Sequence, residues 1–143
     1  MAEKGADIIL QMLRGIADDH PGSFELLTPP NMPYADFKRT LADADVVADQ
    51  LYSYTPATTA LMAMARGAVP ISGGEEEFYD FIGEKELRPI FNPDPLDPDG
   101  TYCRLEYLLT HPAAVAAMQA QCRPFAERHN SAATVAARTA SLW

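Results

Sequence analysis

The segment from Tyr52 to Glu77 has the residue types and the order of a ligand-binding crevice. It joins a polar turn, an alanine-rich helix that ends at Gly67, a short apolar strand, and a loop that starts with Gly73 and Gly74 and continues into acids. In a parallel α/β sheet, helix N-termini and the carboxyl ends of strands face one crevice, where phosphates and similar anions bind. The segment therefore predicts a ligand site at the carboxyl edge of a parallel sheet.

Several side chains of this segment admit a structural role as well as a binding role. Thr55 and Thr58 have the hydroxyl groups to contact a ligand or to cap a helix. Gly73 and Gly74 let a ligand approach the backbone closely, or they turn the chain out of its strand. Tyr54 has a ring that stacks on a base or sugar, or that covers a sheet edge. Both roles stay open at this stage for each of these residues.

The elements that position these residues follow from hydrophobic periodicity and from turn residues. The pattern predicts helices at 6–19, 33–44, 56–66, 75–81, 101–110, 112–128 and 131–142, and strands at 24–27, 46–48, 69–72 and 89–91. Strands that alternate with helices at this spacing indicate a parallel sheet. A doubly wound domain usually begins with its central strand, whereas this chain begins with a helix, so we expect the first strand to be missing.

Length and charge narrow the classes of function. With 143 residues, the chain is expected to form a single domain over residues 1–143. The net charge of −9, from 20 acids and 11 bases, argues against nonspecific binding of nucleic acid, which needs a basic face. The sequence has no apolar run long enough to span a membrane and no signal peptide at its start, so the expected location is the cytoplasm.

Histidines and cysteines lack the spacing of a metal site. His20, His111 and His129 each stand next to proline or asparagine near a predicted helix end, which favours helix capping over catalysis. Cys103 and Cys122 are expected to be reduced residues packed on helices. We therefore expect no bound metal and no cofactor.

Four motifs, in order, resemble the C-terminal, donor-binding domain of retaining GT-B glycosyltransferases. Residues 3–7 (E-K-G-A-D) are similar to the K-G-x-D entry to the first helix, and residues 33–46 end in the A-D-V that precedes a strand. Residues 61–71 (L-M-A-M-A-R-G-A-V-P-I) are similar to L-E-A-M-A-x-G-x-P-V-I, and residues 73–77 (G-G-E-E-E) match G-G-x-x-E. The resemblance covers the chain from Lys4 to its end, and it implies a Rossmann-like, three-layer parallel sheet that binds a nucleotide-diphosphate sugar.

The resemblance also implies which residues hold the donor. Lys4 matches a lysine on the phosphates, although a solvated lysine at the terminus is the structural alternative. The base is expected near Asn31 and Met32, and Glu77 matches the acid of G-G-x-x-E. The full set of predicted substrate-binding residues is Lys4, Asn31, Met32, Tyr54, Thr55, Thr58, Met62, Gly73, Gly74 and Glu77.

This chain departs from the family at its two glutamates, which the family spaces E-x7-E. Those positions are Tyr54 and Met62 here, and neither side chain supplies a carboxylate. Loss of the charged hydrogen bond to the ribose is worth roughly 1.5–3 kcal/mol. The family also uses an N-terminal acceptor domain, for which this sequence has no room. We therefore expect a homologue that binds a nucleotide sugar but is not catalytic alone, with an N-terminal acceptor domain or a partner chain as its possible complement.

Two alternatives stay open on the sequence. One is a noncatalytic binding or assembly module of the same fold, in which a partner covers the sheet edge that the missing strand leaves open. The other is an unrelated small flavodoxin-like domain, which would have its own first strand.

Overall fold

The computed structural model describes residues 5–142, and it shows a mixed α/β protein with many helices and few strands. The helices are α1 (Ala6–Asp19), α2 (Tyr34–Ala42), α3 (Thr58–Ala65), α4 (Glu76–Ile82), α5 (Pro98–Thr110), α6 (Pro112–Asn130) and α7 (Ala132–Ala140), and the strands are β1 (Val46–Ala48) and β2 (Val69–Ile71). All seven predicted helices are confirmed, with ends that differ by a few residues. The last helix is capped by Ser131, whose Oγ accepts a hydrogen bond from Thr134 N at 3.1 Å.

The sheet is smaller than the sequence predicts. Strands β1 and β2 pair in parallel, with Val46 opposite Val69 and Ala48 opposite Ile71. Residues 24–27 form no strand, so that prediction is wrong. The predicted edge strand at 89–91 is reduced to one parallel bridge between Phe91 and Ile71. Within the described residues, the parallel orientation is confirmed, whereas a three-layer Rossmann-like sheet is not shown.

Pro70 explains why the 88–92 segment pairs with β2 through a single bridge. Phe91 N donates to Pro70 O at 2.9 Å, and Ser72 N donates to Phe91 O at 3.1 Å. The next ladder bond toward the N-terminus would need an N–H on Pro70, and proline has none. Pro70 is the middle residue of β2. Its backbone nitrogen faces the 88–92 segment, because the backbone groups of the flanking residues Val69 and Ile71 make the hydrogen bonds to the β1 side. The ladder between β2 and this segment therefore stops at one bridge.

The fifth helix starts three residues earlier than the periodicity predicts. Asp97 precedes it, and Asp97 Oδ1 accepts a hydrogen bond from Gly100 N at 2.9 Å. Pro98 occupies the first helical position, where its missing N–H costs nothing. The helix therefore begins directly after Asp97, which caps it.

The alanine-rich helix α3 lies in the centre of the fold. It packs against β2 and α6, and Ala60, Ala63 and Met64 are fully buried. Gly67 follows it with φ +86°, a backbone conformation that glycine adopts without strain, so the predicted helix end is confirmed. The main core also includes residues from α1, α5 and α6: Ile9, Ile16, Leu105, Cys122 and Phe125. In the part of the chain that the structure describes, no helix is both long and apolar enough to cross a membrane.

Candidate functional site

The carboxyl ends of the two strands lie side by side and are tied together by buried polar groups. Asp49 follows β1, and its N–H donates to Ile71 O at 3.0 Å. Ser72 follows β2, and its hydroxyl donates to Asp49 Oδ2 at 3.3 Å. Both residues are buried. These bonds hold the two strand ends at one edge, which is the edge the sequence predicts for a ligand site.

The polar turn after β1 packs directly on the Gly-Gly loop after β2. A Cβ on Gly73 would collide with the carbonyl oxygen of Ser53 and lie 2.7 Å from Thr55 N, so only glycine fits there. Glu75 N donates to Tyr54 O at 3.3 Å. We call residues 49–55 and 72–75 the carboxyl-edge crevice. Of the predicted site residues, the structure brings Tyr54, Thr55, Gly73 and Gly74 together there.

The geometry at the two glycines shows what approaches them in this structure. The chain's own 53–55 turn occupies the space beside Gly73. The N–H of Gly74 donates to Asn92 Oδ1 at 3.1 Å, so this amide is already engaged. Both glycines therefore meet the structural role that the sequence left open, by permitting close packing of three loops.

Exposed hydroxyl groups and rings surround the crevice. Tyr54 is 79% exposed and Tyr52 is 53% exposed. Thr55 and Thr58 are exposed as well, and no side chain caps the N-terminus of α3. Thr58 therefore does not fill the capping role, and the first-turn N–H groups of α3 have no side-chain partner among the described residues.

The two methionines of the predicted site lie at the junction of α2 and α3. The Tyr34 hydroxyl lies 3.9 Å from Met62 Sδ, and the Thr40 hydroxyl lies 3.8 Å from Met32 Sδ. Met32 and Met62 are both partly buried, whereas Asn31 is exposed. Position 62, where the resemblance implies a ribose-binding acid, therefore faces a tyrosine hydroxyl that is able to donate a hydrogen bond.

The remaining predicted site residues lie apart from this group or outside the described residues. Glu77 is exposed in the first turn of α4 and makes no hydrogen bond or ion pair with a described residue. Lys4 lies outside the described residues. Its neighbour Gly5 has φ +66° and packs on Leu51 and Tyr52, so α1 begins beside the turn that follows β1.

Sequence reasoning missed a cleft on the other side of the Gly-Gly loop. This cavity, which we call the edge cleft, has a volume of about 630 Å³ and lies between α4, the 88–92 segment, α5 and α6. Its lining includes Arg88, Asn92, Arg104, Tyr107, Leu108 and Met118. These residues come from separate elements and have no regular spacing in the sequence, so no sequence motif predicts the cleft.

Both arginines of the edge cleft lie over aromatic rings, but they differ in their partners. Arg88 lies 4.1 Å from the Tyr79 ring centroid and pairs with Glu76, with Nη2 to Oε2 at 3.1 Å. This hydrogen bond raises the pKa of Arg88. Arg104 lies 5.5 Å from the Phe91 ring centroid, and Nη2 donates to Asn92 O at 3.3 Å. In the described part of the chain no carboxylate pairs with Arg104.

A second missed cluster surrounds the carboxylate of Glu84, whose side chain is 1% exposed. Glu84 Oε2 accepts from His129 Nε2 at 2.6 Å and from Arg128 Nη1 at 3.0 Å. Glu84 Oε1 accepts from the backbone N–H groups of Glu86 and Leu87. Burial by itself would raise the pKa of Glu84, but these hydrogen bonds and Arg128 outweigh it and lower the pKa to about 2. The cluster joins the chain after α4 to the end of α6.

The histidines and cysteines correct two predictions. His111 Nδ1 lies 2.7 Å from Tyr107 O at the end of α5, which fits the predicted capping. His129 is buried in the Glu84 cluster, so capping is wrong for it. Cys122 is buried, and burial raises the pKa of its thiol to about 12. Cys103 is exposed on α5, so the prediction that it is packed is wrong.

Comparisons with known protein families, with curated proteins and with solved structures found no match to this chain. Among the described residues, no group of three or more histidine, cysteine, aspartate or glutamate side chains is arranged to hold a metal ion. The motifs and the geometry of the two candidate sites are therefore the features of this chain that bear on its function.

Proposed function

We propose that this chain is a donor-binding domain of the GT-B glycosyltransferase type, which binds a nucleotide-diphosphate sugar at the carboxyl-edge crevice. The observation that carries the proposal is the meeting of the motif residues at one edge of a parallel sheet. The turn at Tyr54 and Thr55 packs on the Gly73–Gly74 loop. The start of α1 at Gly5 packs beside the same turn. In this proposal the Rossmann-like three-layer sheet is completed by a strand next to β1.

The chemistry of the crevice suits binding better than catalysis. The uncapped N-terminus of α3 offers N–H groups to a diphosphate, and Lys4 would add a positive charge. Tyr54 and Met62 leave the crevice without the two carboxylates that the family uses. Transfer of the sugar to a hydroxyl acceptor, with retention and without a metal, would therefore require an acceptor domain or a partner chain.

Nucleotide binding tests this proposal directly. The purified chain is titrated with UDP, GDP, ADP and dTDP by isothermal calorimetry, and its melting temperature is measured with each nucleotide in EDTA. Saturable binding of one nucleotide with a higher melting temperature is the expected result, because a ligand that binds only the folded state stabilises it. If no nucleotide binds or shifts the melting temperature, the proposal is wrong.

Met62→Glu tests whether position 62 lies beside the ribose of the bound nucleotide. The new carboxylate would lie near the Tyr34 hydroxyl and would restore the charged hydrogen bond to the ribose, so the affinity for the bound nucleotide should rise about tenfold or more. Ala65→Glu is the matched control, since it adds the same charge at an exposed position of the same helix. Equal affinities in the two variants would remove Met62 from the site.

An assembly module is the second candidate, because no strand of the described residues pairs with the open side of β1. Among residues 5–142, β1 pairs with β2 and with no other strand, and Ala48 is exposed. A strand from a partner would add to this edge through backbone hydrogen bonds. Light scattering measures the mass in solution: a dimer or a complex that Ala48→Pro disrupts would support this candidate, and a strict monomer would weaken it. For the flavodoxin-like alternative, the described residues show no first strand of its own.

A further inference from the structure

The edge cleft combines an apolar wall with a cation, Arg104, that forms no ion pair with a carboxylate of the described residues. Ile90 and Phe91 from the 88–92 segment, Leu108 from α5 and Met118 from α6 contribute the apolar side chains. The cavity volume of about 630 Å³ lies within the range of small-molecule sites. We propose that the edge cleft binds a small organic anion that has an apolar, aromatic-sized body and a single negative charge.

Arg104 is the group that recognises the negative charge. Its Nη2 atom is held by Asn92 O at 3.3 Å and by the Thr101 hydroxyl at 3.4 Å, and its guanidinium lies over the Phe91 ring. These contacts fix the side chain but use few of the five N–H donors of an arginine. The unused donors are available to a carboxylate, sulfonate or phosphate monoester.

Arg88 has a different role in the same cleft. Its Nε and Nη2 atoms bind the two oxygens of Glu76, and its Nη1 atom donates to the carbonyl oxygens of Glu84 and Leu87. This guanidinium is neutralised and held in place, so it shapes the wall rather than attracts an anion. Glu75 also lines the cleft, and its negative charge disfavours a polyphosphate relative to a singly charged ligand.

Tyr79 also lines the edge cleft, and its hydroxyl group is buried. Tyr79 is 2% exposed, and its hydroxyl makes no hydrogen bond of ordinary length and angle with a described residue. Burial raises the pKa of Tyr79 to about 12, although the nearby Ile90 amide and Arg88 favour the phenolate. The Tyr79 hydroxyl therefore stays protonated and adds no negative charge to the wall of the cleft.

Two related dyes test the charge and the cleft separately. 8-Anilinonaphthalene-1-sulfonate has the proposed apolar body and one negative charge, and N-phenyl-1-naphthylamine has the same body without the charge. Fluorescence titrations of both dyes are made with the wild type, Arg104→Ala, Ala117→Phe and Arg123→Ala. Ala117 lines the cleft at an exposed position of α6, whereas Arg123 is an exposed arginine of the same helix that is not among the cleft residues. Near-UV circular dichroism confirms native packing in each variant.

The proposal expects a different pattern for each variant. Arg104→Ala should weaken binding of the sulfonate dye about tenfold and leave the uncharged dye unchanged, because only a charge-assisted hydrogen bond is lost. Ala117→Phe should weaken both dyes by filling the cleft, and Arg123→Ala should change neither. The proposal is overturned if the sulfonate dye does not bind the wild type. It is also overturned if Arg104→Ala has the same affinities as Arg123→Ala, or if it weakens binding of both dyes equally. Unchanged binding of both dyes to Ala117→Phe would likewise overturn it. These outcomes are independent of nucleotide binding at the carboxyl-edge crevice.

Discussion

The sheet has two edges, and within residues 5–142 side chains hydrogen bond to the backbone of one edge but not to that of the other. At the 88–92 edge, Gln121 Oε1 accepts from Arg88 N at 2.7 Å, and Arg104 Nη2 donates to Asn92 O at 3.3 Å. At the β1 edge, the ladder to β2 uses Asp45 O and Asp49 N, so the backbone groups of the alternate residues 46 and 48 point away from β2. No described residue hydrogen bonds to those outward groups.

The difference in cover indicates that the chain's own side chains block further strand pairing at one edge of the sheet only. Natural proteins protect exposed sheet edges because unpaired backbone groups bind other strands. Polar side chains from α5 and α6 end the sheet at the 88–92 edge. The β1 edge is left able to pair, which agrees with the proposed strand next to β1 and with the assembly candidate.

Proline substitutions in β1 should give the largest effect and test the direction of its backbone groups. Val47→Pro removes an N–H that faces β2 and should lower the free energy of unfolding by roughly 3 kcal/mol. Ala48→Pro removes an N–H on the open side, so its cost should be about 1 kcal/mol or less. Urea denaturation measures both values. Equal losses for the two variants would contradict the claim that the N–H of Val47 pairs with β2 and that the N–H of Ala48 is unpaired within residues 5–142.

Glu84→Gln should give the next largest effect, on the covered side. It removes the buried charge that pairs with His129 and Arg128, and we expect a loss of about 2 kcal/mol in the free energy of unfolding. Glu86→Gln is the control, because Glu86 contacts Arg128 with a side chain that is 75% exposed. Its loss should be below about 0.5 kcal/mol, as is usual for an exposed ion pair.

The pH dependence of the free energy of unfolding also tests the contribution of the Glu84 carboxylate. Because the folded pKa of Glu84 is lowered to about 2 from 4.5, its contribution is present above pH 4.5. The contribution is lost as the pH falls through the folded pKa, since the unfolded state takes up the proton first. Between pH 5 and pH 2 the wild type should therefore lose more stability than Glu84→Gln. Parallel curves for the two proteins would show that the Glu84 cluster does not stabilise the fold.

Gln121→Leu should give the smallest effect and tests the side-chain cover itself. It leaves the Arg88 N–H without its acceptor, so we expect a loss of about 1 kcal/mol. Gln119→Leu is the matched control on the same helix, because Gln119 contacts Asp45 at the surface. If Gln121→Leu lowers the free energy of unfolding no more than Gln119→Leu does, the Gln121 side chain does not stabilise this edge of the sheet.

Local sequence signals predicted the elements well, and they predicted long-range partners poorly. The apolar spacing of α1 and the glycine after α3 each act within a few residues, and both predictions are confirmed. The 24–27 segment has the composition of a strand, yet composition does not supply a neighbouring strand. His129 lies next to a helix end in the sequence, and its partner Glu84 is 45 residues away.

By itself the sequence determined the alternation of helices and strands, the parallel direction of the sheet, and the order of the motifs around the carboxyl-edge crevice. Short-range periodicity, capping residues and chain order act through neighbouring residues, so they are readable in one dimension. The tertiary structure is needed to show that the turn at 53–55 fills the space beside Gly73 and that Pro70 limits the pairing of the 88–92 segment to one bridge. It also shows that Arg104 lines the edge cleft with no carboxylate partner among the described residues. Those outcomes depend on which distant side chains and backbone groups meet, and packing of the whole chain sets that geometry.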